Sequence, residues 1–159
     1  MYKPTLSIYA DTSVFGGVFD EEFDQASRSF FEMVRQEHCN LVTSVVVKEE
    51  LEPAPSEVMA LFEEMLDFAK IVEVSNEALQ LREAYVNAGI LTGQWSTDAL
   101  HVALATVADC SMIVSWNFRH IVHYSKIPLY NAVNTLYGYS NIAIHSPQET
   151  IYYEDEEDV

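Results

Sequence analysis

Basic residues are scarce in this chain. Eight Lys and Arg stand against 25 Asp and Glu, a formal net charge of −17 over 159 residues. A surface of that sign repels nucleic-acid phosphates. It excludes a generic basic coat for nucleic acid and loose adhesion to anionic membrane. It leaves room for a small acidic pocket that reaches phosphates through a bound cation. Cysteine is nearly absent too. Cys39 and Cys110 are too few and too far apart for a disulfide framework or a zinc site. They read as buried thiols in a reducing compartment. Long apolar runs are missing: no stretch approaches ~18 uninterrupted apolar residues, so no membrane-spanning segment is expected. The apolar run after Lys3 ends at Asp11, too short for a signal-peptide core and without a cleavage site. A soluble, cytoplasmic protein is expected. No phosphate-cradling loop is present, since Gly16-Gly17 lacks the Lys and the downstream Gly of a P-loop.

What is there is enough apolar material for a core. Hydrophobic residues make up 49% and aromatics 12%, which argues for one folded domain and against disorder along most of the length. Composition breaks only at the end, in Glu154-Asp155-Glu156-Glu157-Asp158. Five adjacent like charges repel each other and stay solvated. The expected organisation is one domain over residues 1–150 and an acidic, flexible tail over 151–159.

Short β-rich runs alternate with helical patterns. Strands are predicted over 6–10, 41–44, 70–74, 112–115 and 142–144. Helices are predicted over 26–37, 45–51, 56–69, 76–88, 97–108 and 131–137, with Ser56 as an N-cap. Strands separated by helices need crossover connections. The expected fold is therefore α/β, a three-layer α/β/α sandwich with a central, mostly parallel sheet of about five strands. Such sheets bind ligands beyond the carboxyl ends of the strands, where strand order reverses. Chemistry is to be sought just after the first and fourth strands and at nearby helix starts.

Asp11 ends the first strand in Ile8-Tyr9-Ala10-Asp11-Thr12-Ser13. An acid there, followed by two hydroxyls, is either a cation-binding corner or a turn cap. Asp98 opens a helix that is apolar almost all round and hence buried. A carboxylate in that place needs a cation, donors or water, or it serves the helix dipole. His101 follows three residues later on the same face. Glu49 and Glu50 are about 100° apart on the short helix after strand two. Glu50, between Val46, Val47 and Leu51, is the inward candidate. Asn117 holds, after strand four, the place of Asp11 after strand one. Beyond it, Arg119, His120, His123 and Lys126 form a local positive cluster, either a contact for an RNA backbone or an ordinary solvated loop.

Other acidic α/β sites fit less well. A phosphoacceptor receiver wants paired acids at the end of strand one, where Asp11 stands alone. A haloacid-dehalogenase-like phosphatase wants a second Asp where this chain has Ser13.

Four blocks together resemble a known family. They are Ile8–Phe15, Thr43–Leu51, Asp98–Ala105 and Ile113–His120. In this order and with these gaps the chain resembles the PIN-domain nucleases, of the VapC-type toxin group of type II toxin–antitoxin systems. The resemblance implies metal-dependent hydrolysis of RNA phosphodiesters. It makes Asp11, Glu50 and Asp98 the catalytic acids and the ligands of Mg²⁺ or Mn²⁺. The fourth ligand position, usually Asp, is Asn117, which removes one negative charge and leaves a carbonyl oxygen as a weaker ligand. Ser13 and His101 are expected beside the ligands, and Arg119, His120 and Lys126 toward RNA. The resemblance further implies an antitoxin protein and a homodimer as partners. A second class of function stays open: a catalytically weak PIN-fold module acting through protein partners, as the charge, the acidic tail and Asn117 suggest.

Hard-cation chemistry explains the residue types. Mg²⁺ and Mn²⁺ favour oxygen ligands and keep several waters. Without an ion, clustered acids repel the substrate and each other. A bound cation reverses the local sign of the field.

Overall fold

The structure, a computed structural model, describes residues 5–151. The acidic run at 154–158 lies outside the described residues. Five strands form one sheet in the order β3-β2-β1-β4-β5, and every neighbouring pair is parallel. They are β1 (Ser7–Ala10), β2 (Asn40–Ser44), β3 (Ala69–Val72), β4 (Met112–Val114) and β5 (Ala143–His145). The sheet of about five mostly parallel strands expected from the alternation is therefore present, and all five strands are parallel.

The helices include α1 (Thr12–Gly17), α2 (Asp24–Arg35), α3 (Val45–Leu51), α4 (Ser56–Met65), α5 (Asn76–Asn87), α6 (Ser96–Val107) and α7 (Ile127–Leu136), and residues 147–151 are helical as well. A 3₁₀ turn over Gly93–Trp95 precedes α6. Helices α1 to α4 pack with one another, and α5 packs with α6 and α7. Right-handed crossovers in a parallel sheet put these two groups on opposite faces. On the first face Phe15 meets Phe31 and Phe62, with ring centroids 4.9 and 5.4 Å apart. On the second, Tyr85 and Tyr130 meet edge-on at 4.8 Å. Among the described residues no helix is long and apolar enough to cross a membrane.

Strand β1 is central. Tyr9 and Ala10 are fully buried, as expected of a strand covered on both faces. The chain runs β1, β2, β3 in one direction and then returns to place β4 on the other side of β1. The reversal of strand order lies between β1 and β4, and Ala10 pairs with Val114 there. Asp11 and Ser115 are the next residues on each side.

Several boundaries differ from the sequence reading. Helix α1 has no counterpart in it, since that reading assigns no element between residues 10 and 26. A Cβ on Gly17 would lie 2.6 Å from Ser27 Oγ and 2.8 Å from Trp116 Nε1. This glycine serves close packing of a helix, not a turn. Helix α7 starts at Ile127 rather than 131, with Pro128 in its first turn, where the missing N–H costs nothing. Ser56 is the first residue of α4, and its N-cap, Pro55, makes no side-chain bond.

Candidate active site at the β1/β4 switch point

Asp11 caps α1. Its Oδ1 accepts from Ser13 N at 3.1 Å and from Ser13 Oγ at 2.5 Å, and its Oδ2 accepts from Ser115 Oγ at 2.5 Å. The residue is only 4% exposed. Burial raises its affinity for a proton, His101 and the two serine hydroxyls oppose this, and Glu50 adds to it. The cap reading of Asp11 is thus realised, at the place where the sheet favours a ligand. The serines tie in the end of β4 as well. Ser13 Oγ accepts from Trp116 N at 2.8 Å, and Ser115 Oγ accepts from Asn117 N at 2.9 Å.

Glu50 reaches back toward the sheet from α3. Its Oε1 accepts from Thr12 Oγ1 at 2.8 Å and lies 2.6 Å from His101 Nε2. Burial pushes the Glu50 carboxyl up, but the His101 and Thr12 contacts outweigh it and hold the group below its ordinary value. His101 is 2% exposed. Its other ring nitrogen, Nδ1, lies 2.8 Å from Tyr9 OH, which in turn is 2.8 Å from Ser44 Oγ. Ser44 is the N-cap of α3 and accepts from Val47 N.

Asp98 sits half-buried in the first turn of α6. It makes no capping bond and no hydrogen bond to another described residue, although an acid there suits the helix dipole. Its electrostatic neighbours are His120 and Tyr130. Asn117 Oδ1 accepts from His120 N at 2.9 Å, so part of its capacity closes the local turn. The His120 ring stacks on Trp95 at 4.7 Å, and both its nitrogens are buried without a partner among the described residues. Burial lowers its pKa, Asp98 opposes this, and Arg119 and Lys126 add to it. Arg119 is exposed, with its guanidinium 4.9 Å from the Trp95 centroid. Lys126 Nζ bonds to Ile90 O. Of the three groups expected toward RNA, Arg119 alone is an exposed side chain.

The switch point thus gathers Asp11, Glu50 and His101 into one electrostatic neighbourhood, while Asp98 lies against His120. Among the described residues, no three His, Cys, Asp or Glu side chains form a cluster able to hold a metal ion. The donor set nonetheless fits Mg²⁺ or Mn²⁺ in kind. Glu50 Oε2 and both Asp98 oxygens carry no hydrogen bond from described residues. Mg²⁺ is commonly held by one or two carboxylates, with waters and substrate phosphate completing its shell.

Ser115, Tyr9, Ser44 and Trp95 were not singled out from sequence, and Thr12 entered only as one of the two hydroxyls after Asp11. Ser115 reads as the last residue of the predicted fourth strand, but β4 ends at Val114 and Ala10 pairs with Val114, so Ser115 rather than Asn117 holds the place of Asp11. The Tyr9 hydroxyl had no signal, because a tyrosine inside an apolar strand reads as core.

No family model matches this chain, and no curated protein matches it. Solved structures do. The chain is similar to a chain of the crystal structure of VapBC2 from Rickettsia felis bound to a DNA fragment from their promoter. That match has 14% identity and a TM-score of 0.57, and covers 89% of this chain and 98% of the other. It is similar also to a chain of FitAcB from Neisseria gonorrhoeae, at 12% identity and a TM-score of 0.57 over the same shares. These likenesses span nearly the whole described chain, and at such identity they speak to architecture. The all-parallel five-stranded sheet, with its order reversing between β1 and β4, is that of the PIN domain, and this chain has the PIN fold.

Proposed function

We propose that the protein is a metal-dependent ribonuclease that hydrolyses RNA phosphodiesters, and that it is the toxin of a toxin–antitoxin pair. The observation that carries this reading is Asp11. A carboxylate buried to 4% exposure sits at the strand-order reversal of a PIN fold, next to Glu50. A buried acid with a raised proton affinity at such a point is a functional-site signal. Asp11, Glu50 and Asp98 would hold Mg²⁺ or Mn²⁺, with Asn117 assisting through its carbonyl oxygen. When bound, such an ion lowers the pKa of a coordinated water and offsets phosphate charge.

The chain's own residues do the rest. Ser13 and Ser115 hold Asp11 by its two oxygens. Arg119, exposed beside Trp95, would meet the RNA backbone, and His120, stacked on the same Trp95, and Lys126 are the further candidates for RNA contact. An antitoxin protein is the partner this reading favours, in line with the likeness to chains of VapBC2, solved bound to a promoter DNA fragment, and of FitAcB. A homodimer and a cytoplasmic site of action complete the reading.

One observation favours a second reading, a PIN-fold module of weak activity acting through protein partners. Asn117 replaces a carboxylate at the fourth ligand position, and part of the acceptor capacity of its oxygen goes to His120 N. One assay separates the two. Cleavage of RNA that Mn²⁺ stimulates, that EDTA abolishes and that Asp98→Asn lowers at least about 100-fold supports the nuclease. Cleavage that survives both EDTA and Asp98→Asn overturns it. No cleavage, with a protein partner recovered and no RNA, supports the module.

A further inference from the structure

We propose that Tyr9 and His101 are positioning residues that clamp Glu50 by one carboxylate oxygen and leave the other free for a cation. The inference rests on the reading of Glu50 as a metal-holding acid.

The geometry is a chain of four polar side chains drawn from β1, the end of β2, α3 and α6. Ser44 Oγ, Tyr9 OH and His101 Nδ1 follow one another at 2.8 Å, and His101 Nε2 meets Glu50 Oε1 at 2.6 Å. Tyr9 and Ser44 are wholly buried and His101 is nearly so. Thr12 Oγ1 donates to the same Glu50 oxygen at 2.8 Å. Two donors therefore converge on Oε1, and no described residue donates to Oε2.

Hydrogen-bond arithmetic gives the chain a direction. Val47 N already donates to Ser44 Oγ, so the Ser44 proton must point elsewhere. Tyr9 is the other partner of that hydroxyl. Ser44 therefore donates to Tyr9, and Tyr9 donates to His101 Nδ1. His101 must then carry its proton on Nε2, the atom that faces Glu50. The reverse direction would leave the buried Ser44 hydroxyl proton without an acceptor among the described residues, which is unfavourable for a buried donor. One direction satisfies every donor and aims an N–H at the carboxylate. Partners of this kind orient metal-holding side chains, and losing them typically costs about 10–100-fold in metal affinity.

The clamp reaches a side chain that is not itself core. The Glu50 side chain is 38% exposed, against 3% for His101. A network serving only the core would have no need to end on a carboxylate at the rim of the sheet.

Two measurements test this. The first is the ¹⁵N shift pattern of the His101 ring in the metal-free protein, in wild type and in Tyr9→Phe. The expected result is the Nε2–H tautomer in wild type and loss of that preference in the variant. The second is Mn²⁺ titration followed by calorimetry. Tyr9→Phe should weaken binding about 10-fold, His101→Leu about 100-fold, and His101→Gln, which keeps a donor, should recover part of the loss. Tyr9→Phe keeps the ring and its packing, so it carries the test if His101→Leu does not fold. An Nδ1–H tautomer in wild type overturns the inference. So does Mn²⁺ affinity unchanged in folded variants, while RNA cleavage by wild type leaves the nuclease reading standing. A wild-type protein that takes up no Mn²⁺ overturns both.

Discussion

Ser115 Oγ donates to Asp11 Oδ2 at 2.5 Å, joining residues 104 positions apart in the chain. The bond ties the ends of β1 and β4 where the strand order reverses. Ser115→Ala removes one of three donors from a buried carboxylate and takes the acceptor from Asn117 N. Unsatisfied buried polar groups cost about 1–3 kcal/mol each. The variant should lose stability in that range at pH 7, as read from urea unfolding. Its Mn²⁺-dependent cleavage of RNA should fall about 10–100-fold, as read from initial rates. Unchanged stability would mean that water replaces the lost donor.

The sheet was legible because its signals are local. Apolar runs of strand length, separated by helical spacing, predict crossovers and hence a parallel sheet. The positions of Asp11 at a strand end and Asp98 in a helix first turn follow from the same reading. Which groups bond to them does not. Ser115 meets Asp11 only because β4 lies beside β1, and strand order is not written in any one segment. Tyr9 and His101 meet from elements 92 positions apart. Helix α1 escaped notice because its Gly17 serves a contact with Trp116 and Ser27, which no local pattern reveals.

That contact makes a paired prediction. A Cβ at Gly17 has to displace Ser27 Oγ and the Trp116 indole. The two are hydrogen-bonded at 2.8 Å, and Trp116 stacks on Phe23 at 4.3 Å, so neither moves alone. Overpacking of this kind costs about 1–3 kcal/mol. Gly17→Ala should lower Tm by several degrees and alter the near-ultraviolet signal of Trp116. At Gly16, also in α1, nothing lies within 4 Å of an added Cβ. Gly16→Ala should be neutral or stabilise by up to about 1 kcal/mol. Equal melting of the two variants would contradict the packing.

Alkaline pH should weaken the fold. Burial raises the Cys110 thiol to about 12, with Asp109 adding and Lys70 opposing. Burial also raises the Tyr85 and Tyr130 phenols. Tyr139 adds to the first, against the Thr106 and Asn134 hydrogen bonds. Tyr85 and Asp98 add to the second. In the unfolded chain such groups ionise near ~8.5 for the thiol and ~10 for the phenols. Above those values the folded state holds more protons than the unfolded state. Stability is therefore intact below about pH 8.5 and falls as pH rises, by up to about 1.4 kcal/mol per pH unit for each group in its window. Urea midpoints should drop from pH 8 to pH 10.5, and Cys110→Ala should delay the onset. The buried Cys110 should also resist alkylation at pH 8 until the protein unfolds.

Asn117 is the position at which one atom decides the charge of the site. Its Oδ1 accepts from His120 N, and its Nδ2 makes no hydrogen bond to a described residue. Asn117→Asp keeps the acceptor, so the turn should survive. It adds a negative charge just past β4, near the Asp11 end of β1. Without metal, like charges at short range disfavour the folded state slightly. With metal, a carboxylate is the stronger ligand for a hard cation. Binding to the folded state stabilises in proportion to the logarithm of metal concentration over Kd. The variant should therefore melt at or below wild type in EDTA and gain more in Tm than wild type on addition of Mn²⁺. A tenfold gain in affinity corresponds to about 1.4 kcal/mol. An equal gain in the two proteins would show that Asn117 does not face the ion, and its side chain would then be assigned to the turn alone.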